Sequence, residues 1–516
     1  MPPPDLRLDI VWQRLVALAE EQATALMRTA FSPIVREAGD LSAGIFDTRA
    51  RMLAQAETGT PGHVNTMAQA VGHFLKAFPL EVMRPGDVFA TNDPWLASGH
   101  LHDITVVGPC FHRGRPVALA AVTIHLSDVG GRGQGPDAPS VFEEGIFIPP
   151  MRLVAEGRRE EALLALIAAN VRRPDELRGD LESCFAALAV AARRIDALLA
   201  EFALPGLDGV AAHVLARSET AMRRALGLWP QGSWRARITL ADGPEPIVLA
   251  AAVTIDETGI AVDFAGTGPA VGRGVNVPLA YAAAYASFAL RCAIAPDVPN
   301  NAGSLSVIQV SAPEGCILNP RRPAPVAARH VVGLFIPDLV FRCLEQARPG
   351  RLPAEGAGPL WTVQLAGQDW SAHFSLAGGM GARPDRPGLA ATAFPSGARA
   401  IPVEVIEATA PIVLWRKELR EGSGGGGLFR GGDGQSVAIA AADGGPMRLY
   451  AMFARTSAGA TGRAGGFSGE PGRAALDDGG LLAPQGLQLI PAGRRVVLEL
   501  PGGGGMFAPA NGGESR

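Results

Sequence analysis

Apolar and polar residues alternate along the N-terminal part of the chain in patterns typical of helices and strands. Apolar residues recur at helical spacing from Val11 to Thr29, which predicts an amphipathic helix. The runs Leu41 to Phe46 and Arg51 to Ala56 flank a polar turn and predict a β-hairpin. Asn65 is the predicted cap of a helix that runs to about Phe78. Helical patterns return over 160–170 and 174–202.

A second hairpin is predicted between two longer apolar runs. Ile104 to Phe111 and Pro116 to Thr123 are joined by a short turn that contains Arg113 and Gly114. Antiparallel pairing about this turn places Asp103 opposite Ile124 or His125. The two ends of the hairpin that lie far from the turn are therefore expected to lie side by side.

Three metal-binding residue types gather at this open end. His100, Asp103 and His125 provide two imidazoles and a carboxylate, a set suited to a divalent metal ion. The alternative is that these histidines only satisfy hydrogen bonds in the core. His102 is a weaker candidate ligand, since neighbours along a strand point to opposite faces.

The pattern changes near residue 205. Alternating β-type runs cover 234–240, 247–255 and 260–264, helices are predicted over 280–293 and 331–346, and short strands with glycine-rich turns follow from about residue 360. We therefore predict an α+β protein with an N-terminal mixed α/β metal-site domain and a mostly β C-terminal region. The predicted domains are an N-terminal metal-binding catalytic domain (1–204), a mixed α/β middle region (205–360) and a β-rich, glycine-rich C-terminal region (361–516).

Composition limits the classes of partner. The chain has 516 residues, a net charge of −4 and a pI near 6.2, so it lacks the basic surface that nucleic acids or anionic membranes would require. No secretory signal pattern and no apolar run of about 18 residues occurs, and the five cysteines form no Cys-x-x-Cys pair. These features predict a cytoplasmic protein that contacts neither nucleic acid nor membrane.

Lysine is nearly absent, which argues against ATP binding by a P-loop. The two lysines, Lys76 and Lys417, do not follow the glycine spacing of a Walker A motif. The glycine runs at 424–427 and 502–505 do not open a helix after a strand, and we interpret them as turns or close-packing points.

An ordered series of motifs resembles the hydantoinase B/oxoprolinase family over essentially the whole chain. The motifs are Thr91-Asn92-Asp93-Pro94, Gly99-His100-x-x-Asp103, His125-x-x-Asp128-Val129-Gly130-Gly131, Glu143-Glu144-Gly145, Ala169-Asn170-Val171-Arg172, Asp263-Phe264-Ala265-Gly266-Thr267, Val275-Asn276-Val277-Pro278, Pro299-Asn300-Asn301-Ala302-Gly303, Arg430-Gly431-Gly432-Asp433-Gly434 and Pro501-Gly502-Gly503-Gly504-Gly505. The resemblance implies a two-component enzyme in which a hydantoinase A-like, actin-fold ATPase phosphorylates the substrate and this chain carries a metal site.

The resemblance also implies residue roles. The family's metal ligands correspond to His100, Asp103 and His125, with Asp40 as a fourth, and His63 lies in a family-like block that lines the cavity. Two departures lie near the site: Ala97-Ser98 precede Gly99-His100 where the family usually has Gly-Gly-Thr-His, and His102 replaces a frequent proline. Both changes bear on substrate identity.

The leading functional hypothesis is ATP-dependent opening of a cyclic amide such as a hydantoin, 5-oxoproline or a lactam. The partner would phosphorylate the amide oxygen, and a zinc, manganese or iron ion would lower the pKa of a bound water from about 15.7 to near 7. Asp128 or Glu144 would accept a proton or orient the water. Asp128 would alternatively support His125 as a hydrogen-bond acceptor.

Three alternatives stay open at this point. Acetone and acetophenone carboxylase subunits are related to the same family, so a ketone carboxylase is the nearest rival, although known subunits of that kind tend to be longer. A scaffold whose metal only stabilises it, and a metallohydrolase that needs neither ATP nor a partner, are the other two.

Overall fold

The structure is a computed structural model that describes residues 4–57 and 59–509. Within these ranges the α-helices are α1 (Pro4–Thr29), α2 (Pro33–Arg36), α3 (Pro61–Ala77), α4 (Glu161–Ala168), α5 (Pro174–Glu201), α6 (Asp208–Leu226), α7 (Leu279–Ile294), α8 (Ala302–Leu305), α9 (His330–Gly333), α10 (Ile336–Ala347) and α11 (Val403–Thr409). The strands of the N-terminal half are β1 (Leu41–Phe46), β2 (Met52–Gln55), β3 (Val88–Thr91), β4 (Asp103–His112), β5 (Arg115–His125), β6 (Met151–Ala155), β7 (Arg158–Arg159), β8 (Gly232–Leu240), β9 (Ile247–Ile255) and β10 (Ile260–Asp263). The later strands are β11 (Ile308–Ser311), β12 (Trp361–Ala366), β13 (Ser371–Leu376), β14 (Ile412–Arg420), β15 (Gly434–Ala441), β16 (Met447–Met452), β17 (Arg473–Leu476), β18 (Gln485–Ile490) and β19 (Val496–Glu499).

The N-terminal part is built on a seven-stranded antiparallel sheet with the order β2-β1-β5-β4-β3-β6-β7. Helices α1 and α5 pack on one face, where Ile104, Val106 and Val122 are buried. Helix α3 packs on the other face over Val107 and Leu119. Because both faces are covered, β4 and β5 are apolar at almost every position.

The central hairpin has the predicted register. β4 and β5 pair antiparallel, with Asp103 opposite His125 at one end and His112 opposite Arg115 at the other. The two turn residues, Arg113 (φ 49°) and Gly114 (φ 77°), both have positive φ, as a tight hairpin turn of this kind requires. Sequence and structure therefore agree on the element that carries the candidate ligands.

The middle of the chain forms a second sheet with the order β11-β10-β9-β8, which packs against α7 and α10. The 19-residue helix α6 was not predicted, because the sequence pattern predicted only strands between residues 205 and 264. Its first half, with Val210 and Val214, packs into the N-terminal core, whereas Met222 and Leu226 belong to the core of the second sheet. The domain boundary near residue 205 stays a prediction.

The C-terminal third is mostly β, as predicted. The sheets β13-β12-β16-β18 and β14-β15-β19-β17 enclose a common core that includes Trp361, Phe374 and Val437. The two glycine runs pack backbone against backbone: a Cβ on Gly502 would lie 2.0 Å from the carbonyl oxygen of Ser423. This contact supports their interpretation as close-packing points.

Two helix boundaries differ from the prediction. α3 begins at Pro61, so Asn65 lies inside the helix, and the residue at its N-cap is Thr60. Proline fits the first turn of a helix, where its missing N–H leaves no hydrogen bond unmade, and it moves the start upstream. The predicted helix over 331–346 is divided into α9 and α10 at Leu334 and Phe335.

Among the helices of the described ranges, none combines the length and the apolar character that crossing a bilayer requires.

Replacing Leu119 by alanine is expected to destabilise the fold. Leu119 on β5 is fully buried against α3, and removing a buried leucine side chain costs about 2–5 kcal/mol, because transfer and cavity effects add. Thermal unfolding followed by circular dichroism should show a clearly lower Tm. The control is Leu489→Ala on β18, whose side chain is 71% exposed and whose loss should change stability by less than about 0.5 kcal/mol. Equal Tm values for the two variants would contradict the two-sided packing of the first sheet.

Candidate metal centre

The open end of the β4–β5 hairpin gathers the predicted ligands. His100 lies in the loop before β4, Asp103 begins β4, and His125 ends β5. One ligand atom from each of these three buried residues lies within 4.8 Å of those of the other two. Asn92 fixes the loop, because its side-chain amide donates to the carbonyl oxygen of Leu101 at 2.8 Å.

Asp103 is the centre of the cluster. Its Oδ1 lies 2.8 Å from Nε2 of His100 and 3.0 Å from Nδ1 of His125, and its Oδ2 accepts from Nε2 of His63 at 2.9 Å and from Arg329 at 2.6 Å. Burial alone would raise the pKa of Asp103, but the neighbouring His100, His63 and Arg329 hold it well below its usual range. The side chain is therefore an ionised carboxylate.

The two ring nitrogens of His100 have different surroundings: Nδ1 donates a hydrogen bond, and Nε2 faces the cluster. Its Nδ1 lies 3.0 Å from the carbonyl oxygen of Ala327, which can only accept, so Nδ1 carries the proton. Its Nε2 is buried and, within residues 4–57 and 59–509, has no hydrogen-bond partner despite its closeness to Asp103. Burial, with the positive charge of Arg329, lowers the pKa of His100 to about 3. The ring is thus neutral and directs a lone pair toward the cluster, as metal ligation requires.

Asp40 and His63 border the cluster from two other elements. The pairing of β1 with β5, which sets Leu41 opposite Ile124, brings Asp40 next to His125, and an oxygen of Asp40 lies 3.9 Å from Nδ1 of His125. His63, in the first turn of α3, faces Asp40 at 3.6 Å through its Nδ1. Burial would lower the pKa of His63, but the charges of Asp103 and Asp40 outweigh it and raise the pKa.

These residues fit a divalent cation. Two imidazoles and an ionised carboxylate converge, and among the residues that the structure describes the buried Nε2 atoms of His100 and His125 have no hydrogen-bond partner. Buried polar atoms in folded proteins are nearly always paired, so two unpaired imidazole nitrogens beside an ionised carboxylate indicate the ligand atoms of a cation. Nitrogen and carboxylate donors together suit zinc, manganese or iron.

The cluster opens into a cavity of about 80 Å³. Its wall combines side chains from all parts of the chain; besides Asp40, His63, His100, Asp103 and His125, it includes Gln134, Tyr281, Tyr285, Arg329, His330, Thr362 and His373. Burial lowers the pKa of His330 to about 3 and that of His373 well below its usual value, so both rings are neutral. The cavity wall therefore combines neutral imidazoles and aromatic rings with the carboxylates of Asp40 and Asp103 and the guanidinium of Arg329.

Asp128 and Glu144 do not line this cavity. Asp128 accepts hydrogen bonds from the backbone N–H of Gly130 and from the Arg172 guanidinium at 2.8 Å. Glu144 is fully buried, and its Oε1 accepts from the backbone N–H groups of Val326 and Ala327 at 2.6 and 2.8 Å. The structure brings five of the seven predicted site residues together and leaves these two apart, so their catalytic roles stay predictions.

Several residues of the site were not predicted. Arg329, His330 and His373 lie more than 200 residues after the hairpin, and Tyr281 stacks on the guanidinium of Arg329 at 4.1 Å. The only sequence signal was that His330 and His373 belong to the nine histidines of the chain. His102, the weaker candidate, does lie beside the cluster, with its ring centre 5.4 Å from that of His100.

Comparisons with known proteins find relatives that match most of this chain. A protein of Methanocaldococcus jannaschii is 30% identical over 98% of this chain and 91% of its own length. The caprolactamase subunit beta of Pseudomonas jessenii is 29% identical over 84% of this chain and 78% of that subunit. The 5-oxoprolinase PfmaA of Pestalotiopsis fici is 27% identical over 98% of this chain, which spans only 41% of that protein.

Solved structures show the same fold. The crystal structure of ATP-dependent caprolactamase from Pseudomonas jessenii superposes with a TM-score of 0.90 at 24% identity, covering 99% of this chain and 92% of that one. Acetone carboxylase in its nucleotide-free structure gives a TM-score of 0.87 at 18% identity, covering 98% and 76%. The model of the hydantoinase B/oxoprolinase family matches residues 5–509. The chain therefore belongs to the hydantoinase B/oxoprolinase family.

Proposed function

We propose that this chain is the metal-binding subunit of a two-component, ATP-dependent amidohydrolase that opens a cyclic amide. The substrate would be a hydantoin, 5-oxoproline or a lactam, activated when a partner subunit phosphorylates the amide oxygen. The observation that carries the proposal is the buried cluster of His100, Asp103 and His125 at the wall of a cavity. The family and the name of the caprolactamase subunit beta support the cyclic amide.

His100, Asp103 and His125 would hold the divalent ion, with Asp40 as a fourth ligand. When bound, such an ion supplies a Lewis acid and makes water nucleophilic at neutral pH. The protein's part is to keep its ligands in the correct protonation state. Arg329 and His63 hold Asp103 ionised through its Oδ2, and Ala327 holds the proton of His100 on Nδ1.

The partner is proposed to be a hydantoinase A-like, actin-fold ATPase. This chain has two lysines and no Walker A spacing, so another subunit must bind ATP in this scheme. The chain also matches 41% of PfmaA, which leaves more than half of that protein to supply other functions. The five cysteines are free thiols, as in a reducing compartment, and we place the complex in the cytoplasm.

A ketone carboxylase is the second candidate, because acetone carboxylase has the same fold. At 18% identity this likeness concerns the fold alone. The two reactions differ in their carbon substrate, so product analysis separates them directly.

Replacing His125 by glutamine is expected to remove the bound metal. The full-length protein, purified and loaded with Zn²⁺ or Mn²⁺, should retain one ion per chain by elemental analysis. The variant should bind the ion at least about 100-fold more weakly, since loss of a hydrogen-bond partner of a ligand alone costs about 10–100-fold.

His112→Gln is the matched control for this measurement. His112 lies on the same hairpin at its turn end, where it pairs with Asp196, and its replacement should leave the metal content unchanged. Full metal content in the His125 variant, or equal loss in both variants, would count against the assigned ligands.

Ring opening by the complex with its ATPase partner should depend on the same ligands. We expect His125→Gln to reduce the rate of product formation by about three orders of magnitude, because an ion worth about 4 kcal/mol to the transition state is lost. ATP consumption and ring-opened product are measured with a panel of lactams, hydantoins and 5-oxoproline.

The rival functions give different outcomes in the same assay. Labelled bicarbonate that enters an acid product formed from a ketone would establish a carboxylase instead. If the His125 variant lost activity only in proportion to its loss of assembly with the partner, the ion would be structural. Ring opening without ATP or partner would identify a stand-alone metallohydrolase.

A further inference from the structure

We infer that Glu144 is a positioning residue for the metal centre, which acts through the backbone of the segment Pro325–Arg329 and not by transferring a proton. This inference rests on the proposed function, and it assigns Glu144 a role different from the proton acceptor predicted from the sequence. The evidence is a chain of hydrogen bonds that runs from Glu144 to two groups of the metal cluster.

The first link joins Glu144 to the segment. Oε1 of Glu144 accepts from the backbone N–H groups of both Val326 and Ala327, at 2.6 and 2.8 Å. Because both donors bind one oxygen, Glu144 fixes two consecutive peptide units of the segment.

The second link joins the segment to the cluster. The carbonyl oxygen of Ala327 accepts from Nδ1 of His100 at 3.0 Å, and the guanidinium of Arg329 donates to Oδ2 of Asp103 at 2.6 Å. One short segment thus sets the tautomer of one ligand and the charge environment of another. Partners of this kind orient metal ligands and affect metal affinity strongly.

Other residues of the protein pair with the neighbouring backbone groups of the segment, so the contribution of Glu144 is limited to two N–H groups. Asn276 donates to the carbonyl oxygen of Pro325 at 2.9 Å, and the N–H of Ala328 donates to the carbonyl oxygen of Gly274 at 2.6 Å. The N–H groups of Val326 and Ala327 depend on Glu144. Without its Oε1 these two buried donors would lose their partner, and the segment would have to shift.

Glu144 is itself tied to the strand that carries His125. Its loop pairs with the loop after β5, where the N–H of Ile146 donates to the carbonyl oxygen of Val129 at 2.8 Å. Glu144 therefore connects the end of the hairpin to the segment that supports the cluster from the opposite side.

The surroundings of Glu144 do not suit a proton acceptor for a substrate. The side chain is fully buried, does not line the cavity, and its Oε2 has no hydrogen-bond partner in the part of the chain that the structure describes. Burial raises the pKa of Glu144 to about 8, so the group is mostly neutral at pH 7. Glutamine should then replace it with little change in shape or charge.

Two variants separate positioning from proton transfer because they preserve different properties. Glu144→Gln keeps the length and the accepting oxygen but cannot take a proton, whereas Glu144→Asp keeps a carboxylate but is one methylene shorter and cannot reach both N–H groups. We measure the affinity of the full-length protein for Zn²⁺ and Mn²⁺ by competition with a chelator. The affinity of the Gln variant should lie within about threefold of that of the unsubstituted protein. The Asp variant should bind them about 10–100-fold more weakly.

Turnover of the complex with its ATPase partner should follow the same order, with Gln above Asp. Glu143→Gln is the control, since Glu143 is the preceding residue but lies at the surface in an ion pair with Arg132, and it should match the unchanged protein in both measurements.

Several results would overturn the inference. These are a Gln variant that binds metal normally but loses turnover, an Asp variant that equals or exceeds the Gln variant in metal affinity, or equal affinity in all variants. A failure of the proposed function is distinguishable, because metal affinity is measured without substrate. An unchanged protein that binds neither ion would remove the metal centre and this inference together, whereas normal binding without amide opening would leave the inference intact.

Discussion

The buried carboxylate of Asp103 is the constraint on which the arrangement of this protein depends. An ionised carboxylate removed from water is strongly unfavourable unless charges and hydrogen bonds surround it. Here three imidazoles and one guanidinium do so, and they come from α3, the loop before β4, the end of β5 and the segment Pro325–Arg329. The N-terminal sheet and the middle of the chain must therefore pack together for Asp103 to be stabilised.

This constraint also explains why the site is ready to bind a cation. The two oxygens of Asp103 have different neighbours: Oδ2 is held by Arg329 and His63, whereas Oδ1 faces His100 and His125. Arg329 balances part of the negative charge of Asp103 at Oδ2. The remaining charge lies at Oδ1, between the imidazoles of His100 and His125. A divalent ion placed there would add positive charge next to the carboxylate. The same side opens to the cavity, so the ion and the substrate would share one space.

The sequence predicted the parts of the site that local rules determine. The hairpin turn fixes the register of β4 and β5, and the register fixes which residues oppose each other, so the meeting of Asp103 with His125 followed from spacing alone. Asp40 could be named only from the family motif, because its position depends on the pairing of β1 with β5. Arg329 and His373 could not be predicted as site residues, because no local pattern indicates which distant loop or strand packs over the hairpin. The same reason explains the missed helix α6, whose residues belong to two cores at once.

Asp128 and Glu144 show how much a sequence motif can predict about the role of a carboxylate. Glu144 and Asp128 follow the hairpin closely in sequence, and proximity in sequence suggested roles in proton transfer. In the folded chain both side chains point to backbone N–H groups and not to the cavity: Asp128 to Gly130, and Glu144 to Val326 and Ala327. A carboxylate that accepts from two backbone donors contributes by fixing a loop, and the loop fixed by Glu144 carries the carbonyl oxygen that orients His100. In the role proposed for Glu144, a motif residue would support a metal centre by fixing the backbone that orients a ligand, without lining the cavity.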